Sequence, residues 1–343
     1  MKSIETPRLI LRKFRHDDFD AVHSYAGNDE NFNYMPYPTN TEQVTREKIA
    51  EFIAKAEVNP IKNYNWAVTL RDGGQLIGGC GLDINDNYGS VGWLLHRNYW
   101  RQGYGTEIGR ALLKFGFESL NLHRIIAECY AENIGSWGIM EKIGMRREGH
   151  FLDAFPAHKK SDSEYDDAFL YAMLRREWET QTEIARYALL PITFDGFVDL
   201  PELRDGELYF VCIKKTPYQP ERNWMPNYSF IICKGGEKIG DARLTIGFTE
   251  GLYYGGQIGY NIDEPHRGNG YAARACRLLA PIAKAHDMTK LLISNRHDNR
   301  SSIRVCEKLG AKLVRTVALP GWHDLYKDNG YRTVNIFEWD LEA

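Results

Sequence analysis

Two glycine-rich turns, each followed at once by an apolar helix, are the segments of this chain best suited to chemistry. The first is WRQGYGTEIGRALL, beginning at Trp100, and the second is RGNGYAARACRLL, beginning at Arg267. Glycine has no Cβ, so its backbone can approach a ligand closely, and the first N–H groups of a helix have no partner inside the helix. Because the helix dipole is positive at this end, such a turn suits a phosphate or pyrophosphate group.

The same glycines can also form a simple tight turn, because a lone GxG pattern is weak evidence for a ligand. Here the turn occurs twice in the same context, with Gly103 and Gly270 at matching positions, and this repetition favours a ligand site. A dinucleotide fold needs GxGxxG with an acidic residue about 20 residues later, and a Walker loop needs GK[ST] after its second glycine. Neither turn has these patterns, so both nucleotide-binding folds are disfavoured.

The elements around the turns are repeated as well. GGQLIG at Gly73 recurs as GGEKIG at Gly235, and each glycine pair suits the turn of a β-hairpin. A further strand, SVGWLL or QIGYNI, then leads into the glycine turn and its helix. A short apolar strand, RIIAECY or KLLISNR, follows that helix. The pattern predicts the same order of strands and helices in both halves.

A third repeat comes directly after that strand. AENIGSWGIMEKIGM matches HDNRSSIRVCEKLGA, so that Asn133 pairs with Asn299 and Ser136 with Ser302. Asparagine is a favoured residue for capping the start of a helix. Three repeats in one order predict two tandem copies of one α/β fold.

The chain length agrees with two domains. At about 150 residues per domain, 343 residues suffice for two, and we predict domains at residues 1–180 and 188–343. Forty-three basic and forty-six acidic residues leave a net charge of −3, which argues against nucleic-acid binding driven by phosphate contacts. We find no apolar run of about 18 residues and no secretion signal, so we expect no membrane span.

The cysteines are scattered along the chain. None of the six forms a CxxC pair, so we expect no zinc site, no other metal site and no redox dithiol. Reduced thiols of this kind are typical of a cytoplasmic protein.

Taken together, these motifs resemble the GNAT acetyltransferase superfamily. Its pattern [RQ]xxGx[GA], followed by NxxS and EKxG, is matched in the second copy by Arg267, Gly270, Ala272, Asn299 and Ser302. The first copy has Trp100 at the basic position. This aromatic variant and the opening TPRLILRKFRHDDFDAV resemble the branch that acetylates ribosomal-protein N-termini (RimJ/RimL type).

The resemblance implies a mixed, mostly antiparallel sheet in each copy, flanked by helices and splayed near its middle, with acetyl-CoA in the splay. Backbone N–H groups of the two turns would hold its pyrophosphate. These turn residues are Arg101, Gln102, Gly103, Tyr104, Gly105 and Thr106 in the first copy, and Arg267, Gly268, Asn269, Gly270, Tyr271 and Ala272 in the second. Leu95 and Ile262 would pair with the pantetheine arm as an added strand does, and Asn133 and Asn299 would touch the same arm.

Acetyl transfer to an amine needs a base for the amine and a proton for the departing thiolate. Many members of the family supply that proton from a tyrosine in the NxxS helix, where this chain has Met140 and Cys306. Either the thiolate leaves unassisted or a hydroxyl, Ser136 or Ser302, assists it. Cys306 is another possible donor, although a buried wall residue is the expected role for a free cysteine.

The base is less well defined by sequence. Glu128 falls at the end of the strand that faces the splay, where it is either the base or a solvated charge. His96 and Asp263 lie just past the ends of the two coenzyme strands, and we expect both to be loop residues.

The acceptor is predicted to be a primary amine, either a small molecule or a protein N-terminus. The aromatic loop Asn33–Asn40, with Tyr34 and Tyr37, and a second loop with Tyr218 and Trp224, are candidates for its wall. Such loops can equally pack over a core or join the two copies.

The two copies can also have different functions. We expect the first copy to perform the chemistry and the second to retain coenzyme binding. The alternative is an acyl-CoA sensor or scaffold in which one or both copies have lost turnover. The oligomeric state is left open by the sequence.

Overall fold

The computed structural model describes residues 1–35, 37–158, 161–190 and 192–342. The chain divides into two compact units, residues 1–179 and 180–343, and the division falls within a single helix. The bounds 1–180 and 188–343 for two functional domains stay a prediction. Among the described residues, no helix is both long and apolar enough to cross a membrane.

The first unit contains eight strands and four helices within the described residues, and a fifth helix leads out of it. In chain order these elements are β1 (Ile4–Glu5), β2 (Leu9–Arg12), α1 (Phe19–Ala26), α2 (Glu42–Lys55), β3 (Asn63–Leu70), β4 (Leu76–Asn85), β5 (Tyr88–Leu95), α3 (Tyr104–Lys114), β6 (Arg124–Tyr130), α4 (Ile134–Lys142), β7 (Arg146–Pro156), β8 (Tyr165–Leu174) and α5 (Arg175–Ala188).

The sheet of the first unit is split near its middle. Its strand order is β1-β2-β3-β4-β5-β6-β8-β7, and every neighbouring pair is antiparallel except β5 and β6. Those two strands are parallel and pair only from Tyr88–Arg124 to Ser90–Ile126. Past these residues β5 continues to Leu95 and β6 to Tyr130 without pairing with each other, which leaves a gap between two strand edges. The predicted splay is therefore present.

Helices cover both faces of this sheet. Ile125, Ala127 and Cys129 of β6 share one buried core with α3 and the end of α4. Side chains alternate along a strand, so Glu128 and Tyr130 face the opposite side of the sheet. That side carries α1 and α2, whose core includes Leu94 of β5.

The second unit repeats the second part of this order. Its elements are β9 (Arg204–Asp205), β10 (Leu208–Thr216), β11 (Asn227–Lys234), β12 (Glu237–Thr245), α6 (Glu250–Gly255), β13 (Ile258–Ile262), α7 (Tyr271–Lys284), β14 (Lys290–Asn295), α8 (Arg300–Leu309), β15 (Lys312–Ala318), α9 (Asp324–Lys327) and β16 (Thr333–Asp340).

The sheet of the second unit opens at the equivalent position. Its five-stranded part, β13-β12-β11-β10-β9, and its three-stranded part, β14-β16-β15, meet at Gln257. The Gln257 N–H donates to the Leu292 carbonyl at 2.8 Å, and its side-chain Oε1 accepts from the Leu292 N–H at 2.8 Å. Gln257 and Leu292 correspond to Ser90 and Ile126 in the repeat. Both gaps therefore open at the same place.

The local predictions for turns and caps are confirmed. Gly73 and Gly235 have φ of 79° and 56° and lie in the β3–β4 and β11–β12 hairpins. The side chains of Asn133 and Asn299 accept from the N–H groups of Ser136 and Ser302, each at 3.1 Å. Pro281 lies inside α7, which continues to Lys284.

The two units differ on the face that α1 and α2 cover in the first. Residues 217–226, which connect β10 to β11, hold only a short 3-10 turn at Pro220–Arg222. The second unit thus has no counterpart of α1 and α2 at this point of its described chain. Its β14–β16–β15 sheet is instead covered on one face by Tyr187, Tyr253 and Tyr254.

Candidate active site

The two glycine turns have the same backbone shape. Arg101 and Gly103 have φ of 57° and 82°, and the corresponding Gly268 and Gly270 have φ of 84° and 77°. A left-handed conformation costs a residue other than glycine about 1–3 kcal/mol and persists only where the surroundings impose it. Because Arg101 adopts it where the second copy has glycine, the surroundings impose the shape of the turn in the first unit.

Each turn presents the start of a helix together with a nearby cation. Gly103 caps α3 and Gly270 caps α7, so the first N–H groups of both helices have no partner inside the helix. Arg8 donates from Nη1 to the Gln102 carbonyl at 3.0 Å. The Lys308 ammonium would lie 3.9 Å from a Cβ placed at Gly270. The start of each helix therefore has a basic side chain near it.

Sequence reasoning missed these two cations. Lys308 belongs to the EKLG repeat, so its recurrence was a usable signal. Arg8 lies before β2, far from the turn in sequence, and is held by Glu107 of α3, 2.7 Å from Arg8 Nε. Burial works to raise the pKa of Glu107, but hydrogen bonds from Thr6 and Arg8 outweigh it and hold that pKa below its usual value.

The second glycine of the first turn serves the packing of two helices. A Cβ at Gly105 would lie 2.4 Å from Cδ1 of Ile139, so a larger residue there would require the Ile139 side chain to move. The second unit has Ala272 there.

The carbonyl groups that end the two gap-lining strands accept equivalent hydrogen bonds. Trp100 Nε1 donates to the Leu95 carbonyl at 2.8 Å, and Arg267 Nε donates to the Ile262 carbonyl at 2.8 Å. The indole of the first copy thus takes the position and the bond of the basic residue in the second. The aromatic departure from the motif therefore preserves this contact.

Asn31 adds a second donor at the first of these carbonyls. Its Nδ2 lies 2.8 Å from the Leu95 oxygen, so both lone pairs of that oxygen are used and a bound arm would pair with other backbone groups of this edge. The Asn31 Oδ1 is buried and has no hydrogen-bond partner within the described parts of the chain. A buried hydrogen-bond acceptor, Asn31 Oδ1, is thus without a donor at the end of β5 within the described residues.

The residues at the tyrosine position of the family are both buried. Met140 and Cys306 are 1% and 0% exposed. Burial raises the pKa of the Cys306 thiol to about 12, and Asn295 donates to its sulfur at 3.5 Å. A thiol this weakly acidic is a poor proton donor, which agrees with its expected role as a wall residue.

The two candidate serines contact different neighbours. Burial raises the pKa of the Cys129 thiol to about 11, and Ser136 forms a hydrogen bond with this thiol. Ser302 Oγ lies 2.9 Å from the hydroxyl of Tyr260 on β13, whose pKa is raised by burial. Sequence reasoning missed Tyr260, because it looked for a tyrosine in the helix rather than in the strand.

The three candidate bases occupy different settings. Glu128 is exposed on β6, where the strand borders the gap. His96 accepts from the Asn98 N–H through Nδ1 at 3.2 Å, and Asp263 precedes a 3-10 turn. His96 and Asp263 therefore lie in loops, as expected, and the role of Glu128 stays a prediction.

A cleft of about 270 Å³ opens at the end of β6 and was not predicted. Most of its titratable wall is acidic. The acidic lining residues are Glu132, Asp153, Asp166 and Asp167, and the other titratable ones are Tyr130, His158 and Tyr165. Asp153 reaches the cleft from an irregularity in the β7–β8 pairing between Phe151 and Phe155, a device common beside functional sites.

His158 and Asp166 form a close pair in this cleft. His158 Nδ1 lies 2.6 Å from Asp166 Oδ2, and the His158 backbone N–H donates to the same oxygen at 2.6 Å. Ser161 Oγ donates to the other carboxylate oxygen at 2.6 Å. Burial works to raise the pKa of Asp166, but hydrogen bonds from Ser161 and His158 outweigh it, so the pKa lies below its usual value.

The predicted acceptor loop reaches this pair through one residue. The Tyr34 ring stacks on the His158 ring with centroids 4.9 Å apart, whereas Tyr37 is exposed. Pro36 of the same loop lies outside the described residues. Tyr218 and Trp224 of the second loop are about half exposed, and their role as a substrate wall stays a prediction.

Comparison with known proteins identifies the family to which the chain belongs. The family model for the acetyltransferase (GNAT) domain matches the chain twice, at residues 8–146 and 164–312. The uncharacterized N-acetyltransferase YnaD of Bacillus subtilis (strain 168) is 38% identical over 180 residues, covering 51% of this chain and 98% of that protein. The putative ribosomal N-acetyltransferase YdaF of the same strain is 28% identical over 98 residues, covering 29% of this chain and 51% of that protein.

A solved structure is similar over one half of the chain. The acetyltransferase (GNAT family) from Bacillus anthracis is 35% identical, covers 51% of this chain and 100% of its own, and has a TM-score of 0.46. The family model, by contrast, spans most of the chain in two matches. The chain therefore belongs to the GNAT family and is an acetyltransferase with two tandem domains that uses acetyl-CoA.

Proposed function

We propose that the first unit transfers an acetyl group from acetyl-CoA to a primary amine, which is a small molecule or a protein N-terminus, and that both units bind the coenzyme. One observation carries this proposal: a gap that opens at Ser90–Ile126 and again at Gln257–Leu292, each leading to a glycine turn. An unpaired strand edge accepts an extended arm as an added strand, and the turn suits a diphosphate.

The coenzyme contacts follow from this arrangement. Backbone N–H groups of residues 101–106 and 268–273 bind the pyrophosphate, with Arg8 and Lys308 adding positive charge. The arm runs along β5 or β13 toward Asn133 or Asn299. The buried Oδ1 of Asn31 supports this path, because an amide N–H of the arm would satisfy it.

The second unit is proposed to hold coenzyme without turning it over. Residues 217–226 of the second unit hold no counterpart of α1 and α2, so that connection supplies no equivalent of the stacking of Tyr34 on His158. This asymmetry also supports the alternative of a sensor in the second half. A cytoplasmic location is proposed as well, because all six cysteines are free thiols.

The thiol that the reaction releases provides the test. The full chain is incubated with acetyl-CoA and a panel of amines and peptides with free N-termini, and free thiol is followed with dithionitrobenzoate. We expect amine-dependent thiol release, with the amide confirmed by mass spectrometry. Coenzyme binding by calorimetry without release on the whole panel would instead favour the sensor.

Substitutions at Trp100 test the shared carbonyl contact. We expect Trp100→Phe to weaken coenzyme binding at the first unit up to about tenfold, because it removes a hydrogen bond worth about 0.5–1.5 kcal/mol. Trp100→Arg should bind within about threefold of the parent, since Arg267 makes the same contact in the second unit. Calorimetry decides, and an arginine variant as weak as the phenylalanine variant would contradict the equivalence.

A further inference from the structure

We propose that His158, oriented by Asp166, is the base that takes a proton from the acceptor amine in the first unit. The inference rests on the proposed function and names a catalytic residue of the same site. Neither residue was a candidate from sequence, since only the β7–β8 hairpin brings them together.

The hydrogen bonds fix which ring nitrogen accepts a proton. An ionised carboxylate can only accept hydrogen bonds, so the 2.6 Å contact of Nδ1 with Asp166 places the proton of the neutral ring on Nδ1. Nε2 then carries the lone pair. It lies 3.4 Å from Glu132 Oε2, so a proton taken up at Nε2 gives an imidazolium held between two carboxylates.

The ring is held in place by aromatic neighbours. His158 is 4% exposed, with Tyr34 stacked on it and the Tyr130 ring centroid 5.8 Å away. The titratable groups that face it in the described structure are Asp166 from β8, Glu132 after β6, Tyr130 of β6 and Tyr34 after α1. The two described residues that pair with it are both negative, and they attract an ammonium group.

The cleft adjoins the gap in the sheet. Tyr130, a wall of the cleft, is the last residue of β6, the strand that borders the gap. It lies on the face opposite the core with α3, as Glu128 does two residues earlier. An amine in the cleft therefore approaches from the α1–α2 side, across the sheet from the helix that begins at the glycine turn.

The reaction balances in atoms and charge without any further reactant. The ammonium gives one proton to Nε2, and the freed lone pair attacks the thioester carbon. The C–N bond forms and the C–S bond breaks, so coenzyme A leaves as a thiolate that receives the second nitrogen proton. The imidazolium then loses its proton to water, giving amide, free thiol and one released proton.

The second unit offers a contrasting histidine. His323, in the loop between β15 and β16, accepts from the Leu325 N–H through Nδ1 at 3.2 Å, and its Nε2 lies 3.0 Å from the Gly251 carbonyl. Both ring nitrogens are therefore committed to backbone groups. This ring can take up a proton only by losing a hydrogen bond, which agrees with chemistry in the first unit alone.

The test is the pH profile of kcat/KM for His158→Gln in the full chain. Propylamine, 1,4-diaminobutane and a peptide with a free N-terminal serine are screened, and the amine with the highest kcat/KM is used. We expect a loss of roughly 10²–10⁴-fold near neutral pH. We expect the part of the pH dependence that comes from His158 to disappear, so that kcat/KM rises only with the amine's own pKa, near about 10 for an alkylamine.

A matched control lies on the same hairpin. His150 is paired with Asp167 at 2.7 Å but is half exposed and does not line the cleft. His150→Gln should leave the profile within about twofold of the parent, because it removes no proton acceptor from the cleft. Asp166→Asn should shift the profile in the same direction as His158→Gln, by a smaller factor, and it decides the question if His158→Gln does not fold.

The outcomes distinguish a failure of this inference from a failure of the proposed function. This inference is overturned if His158→Gln still releases thiol with an amine and its pH profile is unshifted. Asp166→Asn serves the same purpose if His158→Gln does not fold. In either case the proposed function is unaffected. A shift confined to Glu128→Gln also overturns it, and makes Glu128 the base. Coenzyme binding with no thiol release from any amine overturns the proposed function, and this inference with it.

Discussion

Gly103→Val is expected to remove coenzyme binding from the first unit, and Gly270→Val from the second, while the chain stays folded. Both glycines have left-handed φ, 82° and 77°, which a β-branched residue adopts only under strain. If the turn changes shape, the amides at the start of α3 or α7 no longer converge on one phosphate. Losing two charge-assisted hydrogen bonds, each worth about 1.5–3 kcal/mol, weakens that site by roughly 100-fold or more.

Calorimetry counts the sites directly. We expect two in the parent, one in each single variant and none in the double variant. Gly73→Val and Gly235→Val are matched controls, because they place the same strain in hairpin turns with open space around them. These controls should keep two sites. Two sites in both Gly103→Val and Gly270→Val would contradict the assignment of the turns.

Gly78→Ala and Gly240→Ala are expected to destabilise the first and the second unit, respectively. A Cβ at Gly78 would lie 2.3 Å from the Leu94 carbonyl oxygen, and one at Gly240 would lie 2.2 Å from that of Asn261. Both oxygens belong to the backbone of the adjacent strand, β5 or β13, so they can move only by distorting the strand pairing. Overpacking of this kind costs about 1–3 kcal/mol and occasionally more.

Denaturant unfolding measures this loss. Gly138→Ala is the matched control, because it lies within α4 and a Cβ there would meet nothing within 4 Å. We expect that control to raise stability by about 0.5–1 kcal/mol, as alanine favours a helix over glycine. An unchanged midpoint in both Gly78→Ala and Gly240→Ala would refute the close approach. Because β5 and β13 lead into the glycine turns, the two variants should also bind coenzyme more weakly.

Features set by local backbone preference were predictable from the sequence. The hairpin glycines, the caps at Asn133 and Asn299 and the left-handed Gly103 and Gly270 all lie where their residue types require. Repetition along the chain then allowed one copy to be checked against the other. Because both copies carry the same pattern of turns and caps, the fold could be predicted without long-range contacts.

Features set by strand register were not predictable. The pairing of His158 with Asp166 depends on an irregular β7–β8 hairpin, and spacing along the chain gave no sign of it. The equivalence of Trp100 and Arg267 was not predictable, because a sequence pattern records residue type and not the hydrogen bond that is made. The assignment of Gly105 to the coenzyme site stays a prediction, and its packing against Ile139 of α4 was not visible in the sequence.

The gap between β5 and β6 has a consequence for self-association. Exposed strand edges invite other chains to add on, and proteins usually blunt them with charges, proline or short strands. Here the two edges converge at Ser90 and Ile126, so the opening is a wedge that is closed at one end. One extended segment fits between the two edges, whereas a strand that is already part of another sheet does not. The wedge therefore admits a narrow guest and resists the stacking that leads to aggregates.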